Sequence, residues 1–173
     1  MQGKSASRRS PGGSMPIALC RVDDRLIHGQ VVIGWGGPLH VQLIVLVDDA
    51  VSHNDWERDI YRLAVPKEIE VEFVTEAEAE ERCGEWSRDP RQVILLTADL
   101  ETMTKLVRGT GGLIRRVNLG GIHHGPGRTE RLRYVYLTQE DVDHLRALEA
   151  SGIAVTAQDL PSSTPVPVTE LLG

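Results

Sequence analysis

The chain has 173 residues, 40% of them hydrophobic, a size that fits one domain with a buried core. Acids outnumber bases by 25 to 19, and three of those bases (Lys4, Arg8 and Arg9) lie in the first 14 residues. That balance excludes a nucleic-acid surface, whose affinity derives mainly from phosphate neutralisation. The seven aromatic residues offer no base-stacking platform, and no stretch approaches the roughly 18 apolar residues of a membrane span.

Residues 1–14 are basic, rich in Ser and Gly, and lack an apolar segment. They do not read as a signal peptide, and Arg8-Arg9 is followed by no hydrophobic run. A disordered tail or linker remnant is expected here, with one domain over 15–173. Cys20 and Cys83 form no CxxC pair and are expected to stay unpaired in a reducing cytoplasm.

The first strand is expected over 17–22, followed by a charged loop and a helix to about Trp35 that Gly34, Gly36, Gly37 and Pro38 shorten or weaken. Further apolar runs at 42–47, 69–74, 92–97, 114–118 and 153–158 read as strands buried on both faces. Helix starts are signalled where Ser52 precedes Asp55, Thr75 precedes Glu78, and Thr138 precedes Asp141, each by three positions. The 99–108 segment presents Leu100, Met103, Leu106 and Val107 on one face and stops at Gly109. The last helix buries Val142, Leu145 and Leu148 before Ser151-Gly152. Alternating strands and helices predict an α/β fold, a three-layer α/β/α sandwich around a mostly parallel sheet. Only 119–137 breaks the alternation, and a late strand hairpin or an added edge strand is expected there.

Ligands of such sheets bind beyond the carboxyl ends of the strands. Two loops there have unusual composition. The first, Arg21-Val22-Asp23-Asp24-Arg25-Leu26-Ile27-His28-Gly29-Gln30, carries an imidazole at the start of a helix, where free N–H groups favour an anion. Arg25 offers a planar fork for phosphoryl oxygens, and an Asp can hold one imidazole nitrogen while the other attacks. The ordinary reading of these residues is a surface Arg–Asp network with a capping histidine. The second loop, Asn118 through Arg128, has four glycines in eight residues but matches neither the P-loop nor the dinucleotide fingerprint. His123-His124 points two imidazoles in different directions, with no Cys or carboxylate close by in the sequence, so no metal site is expected.

The stretch from Arg21 to Val31 closely resembles the signature of the B component (IIB) of the mannose–fructose–sorbose family of phosphoenolpyruvate-dependent sugar phosphotransferase systems. The resemblance extends over the domain through Val47-Asp48-Asp49-Ala50, Leu95-Leu96-Thr97, Val117-Asn118-Leu119-Gly120-Gly121, Glu140-Asp141 and Gln158-Asp159-Leu160-Pro161. It implies an α/β/α fold with a late hairpin. It also implies that His28 takes phosphate on Nδ1 from a histidine of the A component (IIA). The phosphate then passes to a sugar held by the membrane components IIC and IID. By position, Arg25 contacts the phosphoryl group, and Asp23 and Arg21 belong to its network. Gly29, Asp48, Gly120, Gly121, Gly127 and Arg128 are expected to line the phosphate and its loops, with Arg128 where relatives often have lysine. The resemblance implies no cofactor and a cytoplasmic place at the inner membrane face through IIC and IID. The alternative is a regulatory IIB-like phosphoprotein that signals phosphotransferase state without transporting sugar.

Overall fold

The computed structural model describes residues 17–173; the expected tail 1–14 and the expected domain start at Met15 lie outside the described residues. Seven strands form the main sheet: β1 (Leu19–Asp23), β2 (Leu43–Val47), β3 (Glu70–Val74), β4 (Val93–Thr97), β5 (Arg116–Gly121), β8 (Ala154–Ala157) and β9 (Val166–Pro167). Their order is β3-β2-β4-β1-β5-β8-β9, and every pairing is parallel except β8 with β9. Between β5 and β8 the chain makes an antiparallel ribbon, β6 (Thr129–Leu132) with β7 (Val135–Leu137). An isolated bridge from Ile122 to Val135 ties this ribbon to the end of β5. The 119–137 exception is therefore a hairpin. The antiparallel edge strand is a separate element, and at two residues β9 is too short to leave a pattern in the sequence.

The strands alternate between two cores. Leu43, Val45 and Val47 of β2 enter one cluster, while Ile44 and Leu46 enter the other. The first cluster is covered by α3 (Glu76–Arg88), α4 (Leu100–Gly109) and α5 (Gln139–Ala150), which contribute Trp86, Met103, Leu106 and Leu145. The second is covered by a π-helical segment, Gln30–Trp35, and by α1 (Asp49–Ser52) and α2 (Asp55–Leu63). Each fully buried Leu or Ile contributes roughly 1.5–3 kcal/mol, so continuous apolar strands covered on both faces supply most of the driving force.

Thr75 and Thr138 make reciprocal capping boxes with Glu78 and Asp141, as their spacing predicts. Ser52 does not cap α2. It closes α1, and Asn54 accepts the Glu57 N–H at 3.1 Å instead. The chain leaves β1 toward β2 on one side of the sheet order and leaves β5 toward β8 on the other. Because β1 and β5 are neighbours, their carboxyl ends flank a crevice where such sheets hold ligands. Among the described residues no helix is long and apolar enough to cross a membrane.

Candidate functional site

Period-two alternation along β1 sends Cys20 and Val22 into the first core and Leu19 toward the second. Arg21 and Asp23 share the second face and are fully buried. Asp23 to Leu26 then forms a tight turn, with the Leu26 N–H bonded to the Asp23 carbonyl at 3.0 Å. Leu26 takes φ +60°, a left-handed conformation that costs a branched side chain on the order of 1 kcal/mol or more. Burial of Leu26 and Ile27 in the second core holds the turn in place. The side chain of Arg25 remains 37% exposed and that of His28 19% exposed.

Asp23 is the hub. Its Oδ2 accepts from Arg21 Nη2 at 3.1 Å and faces His28 Nε2 at 3.1 Å. Its Oδ1 accepts from the Arg25 backbone N–H at 3.1 Å and from Arg25 Nε at 3.3 Å. Burial works to raise the Asp23 carboxyl, but the His28 hydrogen bond and the Arg21 charge outweigh it and hold the group at about 2. An ionised carboxylate only accepts, so His28 Nε2 must carry the proton that it shares with Asp23. On the other side of the ring, the Gln30 N–H donates to Nδ1 at 3.3 Å. Two independent neighbours therefore impose one tautomer, with a proton on Nε2 and a lone pair on Nδ1.

Arg21 is a buried cation. It donates to Asn118 Oδ1, to the Gln158 carbonyl at 3.0 Å and to the Asp159 carbonyl at 3.2 Å, and lies 5.2 Å from the Trp35 ring centroid. Trp35 Nε1 donates to the same Asp159 carbonyl at 2.8 Å. Burial pulls the guanidinium below its ordinary pKa, and Asp23 works against that pull. Room for the group comes from Gly120. The β1–β5 register slips between Val22 and Asp23, leaving Gly120 as an extra residue on β5. A Cβ there would sit 2.1 Å from Arg21 Cζ. Gly120, expected to line the phosphate, is instead buried beneath Arg21.

Arg25 is positioned by two groups. Nη2 reaches Asp23 Oδ2 at 3.4 Å and Gln30 Oε1, while Nη1 has no partner among the described residues. Gln30, given no role from sequence, thus holds both Arg25 and Nδ1 of His28. Its position in the charged motif was the available signal. The helix expected to present His28 is six residues of π-helix beginning after Gly29, so individual N–H groups matter more than any helix dipole. Gly29 caps this segment and is exposed. Gly121 flanks the site, because a Cβ there would lie 3.3 Å from Asp23 Oδ1. Asp48 departs from expectation. Its Oδ1 caps α1 by accepting the Val51 N–H at 2.9 Å, just after β2, a strand separated from β1 by β4.

The second loop adjoins the first through Asp24. The carboxylate of Asp24 accepts the His123 backbone N–H at 2.8 Å, meets His123 Nδ1, and lies 3.7 Å from Arg128 Nη1. Arg128 also donates to the His123 carbonyl at 2.7 Å, so its charge is partly offset by Asp24. Gly127, at φ +71°, closes the turn in which Arg128 N–H bonds the Gly125 carbonyl at 3.2 Å. The two histidines diverge: His124 packs edge-on to Tyr136 at 5.6 Å between ring centroids.

Comparison with known proteins matches this chain and its architecture. The profile of the family described as the PTS system sorbose subfamily IIB component matches residues 17–173. The N-acetylgalactosamine-specific phosphotransferase enzyme IIB component 1 of Escherichia coli (strain K12) is 30% identical over 146 residues, 84% of this chain and 91% of that protein. The mannose-specific EIIAB component of the same organism is 27% identical over 168 residues, 97% of this chain and 52% of that longer protein. The crystal structure of the IIB domain of the sorbose permease from Klebsiella pneumoniae superposes with a TM-score of 0.82 at 28% identity. It covers 91% of this chain and 96% of that domain. With the mostly parallel sheet, the helices on both faces and a family match over the whole described length, the chain belongs to the sorbose subfamily of phosphotransferase-system IIB components.

Proposed function

We propose that His28 is the phosphoryl acceptor and donor of this IIB component, reacting through Nδ1. The observation that carries this reading is the tautomer imposed by Asp23 on Nε2 and by the Gln30 N–H on Nδ1, beside an Arg25 whose Nη1 has no partner among the described residues. In the first step the Nδ1 lone pair attacks the phosphorus of a phosphohistidine on a IIA component. The new N–P bond forms as the old one breaks, and its electron pair returns to the donor nitrogen. In the second step a sugar hydroxyl held by the IIC and IID membrane components attacks the same phosphorus and gives up its proton to solvent, as the His28 N–P bond breaks and its electron pair returns to Nδ1. Both transition states are loose and ask for positioning and charge stabilisation. Arg25 supplies two in-plane N–H donors toward the equatorial oxygens. Asp23 stays ionised throughout and compensates charge on the ring. The mannose-specific relative joins A and B designations in its name, which supports a IIA donor. This reading places the chain in the cytoplasm, at the membrane only through IIC and IID.

Incubation with phosphoenolpyruvate, the general phosphocarrier proteins and a matching IIA should add one acid-labile phosphate, read as a single mass increment. No increment at saturating phosphorylated IIA would refute the assignment. Arg25→Lys should keep the fold and slow transfer by about two to three decades, because lysine keeps the charge but loses the fork. Stopped-flow transfer from IIA tests this, and a wild-type rate would make Arg25 a structural ion-pair residue.

A further inference from the structure

We propose that Asn118 is a positioning residue for phosphoryl transfer, acting on His28 through Arg21 and Asp23; this rests on the reading of His28 as the acceptor. Arg21 has no access to water, so protein groups alone orient its guanidinium. Two of its partners are backbone carbonyls, those of Gln158 and Asp159, whose positions follow from the loop after β8. A third is Asp23, the group being oriented. Among the described residues Asn118 is the one remaining side chain bonded to Arg21, and it does so from the opposite end of the guanidinium, at Nη1.

The guanidinium is planar and rigid, so what holds Nη1 also sets the direction of Nη2. Nη2 donates to Asp23 Oδ2, the same oxygen that takes the His28 Nε2 proton. A displaced guanidinium therefore re-aims the oxygen that selects the His28 tautomer. Register brings the lever into place. Arg21 and Asn118 are direct cross-strand partners in β1 and β5, and period two turns both toward the face that carries Trp35. Arginine has no lone pair to offer, so Asn118 must present its oxygen. An amide oxygen satisfies Nη1 without a second negative charge, whereas a carboxylate there would compete with Asp23 for the one buried cation. An aliphatic side chain would leave Nη1 with the Gln158 carbonyl alone.

The test is Asn118→Leu, read by the imidazole ¹⁵N signature of His28 in the unphosphorylated chain and by the rate of phosphoryl uptake from IIA. We expect His28 to pass from a single Nε2–H tautomer to a mixture, and uptake to slow about tenfold. Gly120→Ala should produce the same ¹⁵N change from the other side, because its Cβ falls 2.1 Å from Arg21 Cζ while leaving Asn118 intact. If Asn118→Leu does not fold, Asn118→Ala withdraws the acceptor with a smaller change of volume and carries the same test. A folded variant that keeps the wild-type ¹⁵N signature overturns the proposal whatever its rate, and so does a mixed tautomer with unchanged transfer. The tautomer is read without phosphate, so this result stands apart from whether His28 is the acceptor.

Discussion

Replacing His28 by alanine leaves a folded chain that takes up no phosphate from IIA. The fold survives because the His28 side chain lies at the surface of the motif turn, which is anchored by Leu26 and Ile27. Asp23 loses one partner but keeps Arg21 at 3.1 Å and three donors from Arg25, so no buried charge is stranded. The stability loss should stay within about 1–2 kcal/mol. Phosphate uptake should fall to background, since the other histidines of the site region occupy different environments. His123 is tied through Nδ1 to Asp24, and His124 packs on Tyr136. Mass measurement after incubation with phosphorylated IIA checks this. Undiminished labelling, or a phosphate mapped to His123 or His124, would move the site elsewhere.

Asp23→Asn should damage both chemistry and fold. An amide at this position can turn its NH₂ toward His28 Nε2, which must then accept, and the ring proton moves to Nδ1. The reacting lone pair is lost in that tautomer, a change worth about 10⁴-fold in a comparable imidazole–carboxylate pair. We expect a loss of about three to four decades in transfer rate by the folded protein. The same substitution strands Arg21 in the interior without its counter-charge, costing about 3–5 kcal/mol. The acid limb of stability should change with it. In the folded chain the Asp23 carboxyl lies at about 2, below its ordinary value of 3.8. It therefore stabilises the fold above pH 3.8, and that contribution, on the order of 2 kcal/mol, disappears as pH falls through 2. Denaturant titrations from pH 5 to pH 2 should show a shallower slope in Asp23→Asn than in wild type. Equal slopes would mean that the carboxyl is not held down by its cations.

Asp23 also marks how far local pattern reaches. The motif from Arg21 to Gln30 pointed to phosphoryl chemistry only through its resemblance to the IIB signature, because an imidazole, arginines and carboxylates in a loop are more often a surface ion-pair network. What it did not reveal was depth. Asp23 was expected beyond the end of the first strand, yet it and Arg21 both lie inside the sheet, since the strand continues to Asp23 and period two turns them inward. Gln30 carried no functional signal as a residue type. Its role arises because a left-handed Leu26 and a π-helical turn bring it back against His28 and Arg25. Asp48 and Gly120 belong to shared motifs, but one caps a helix and the other makes room for a guanidinium. A motif match alone cannot separate a residue that touches phosphate from one that supports its neighbours.

By itself the sequence determined the fold class, the helix caps at Thr75 and Thr138, and the two loops that meet at the crevice. These depend on period, capping spacing and composition, all short-range properties of the chain. Tertiary structure alone decided strand order, the β1–β5 slip at Gly120, the burial of the Arg21–Asp23 pair, and the contacts of Asn118, Gln158 and Asp159 with Arg21. Those contacts join residues 97 and 137 positions apart at Asn118 and Gln158. No local propensity encodes such a pairing, because its free energy appears only once the sheet has brought β1, β5 and β8 side by side.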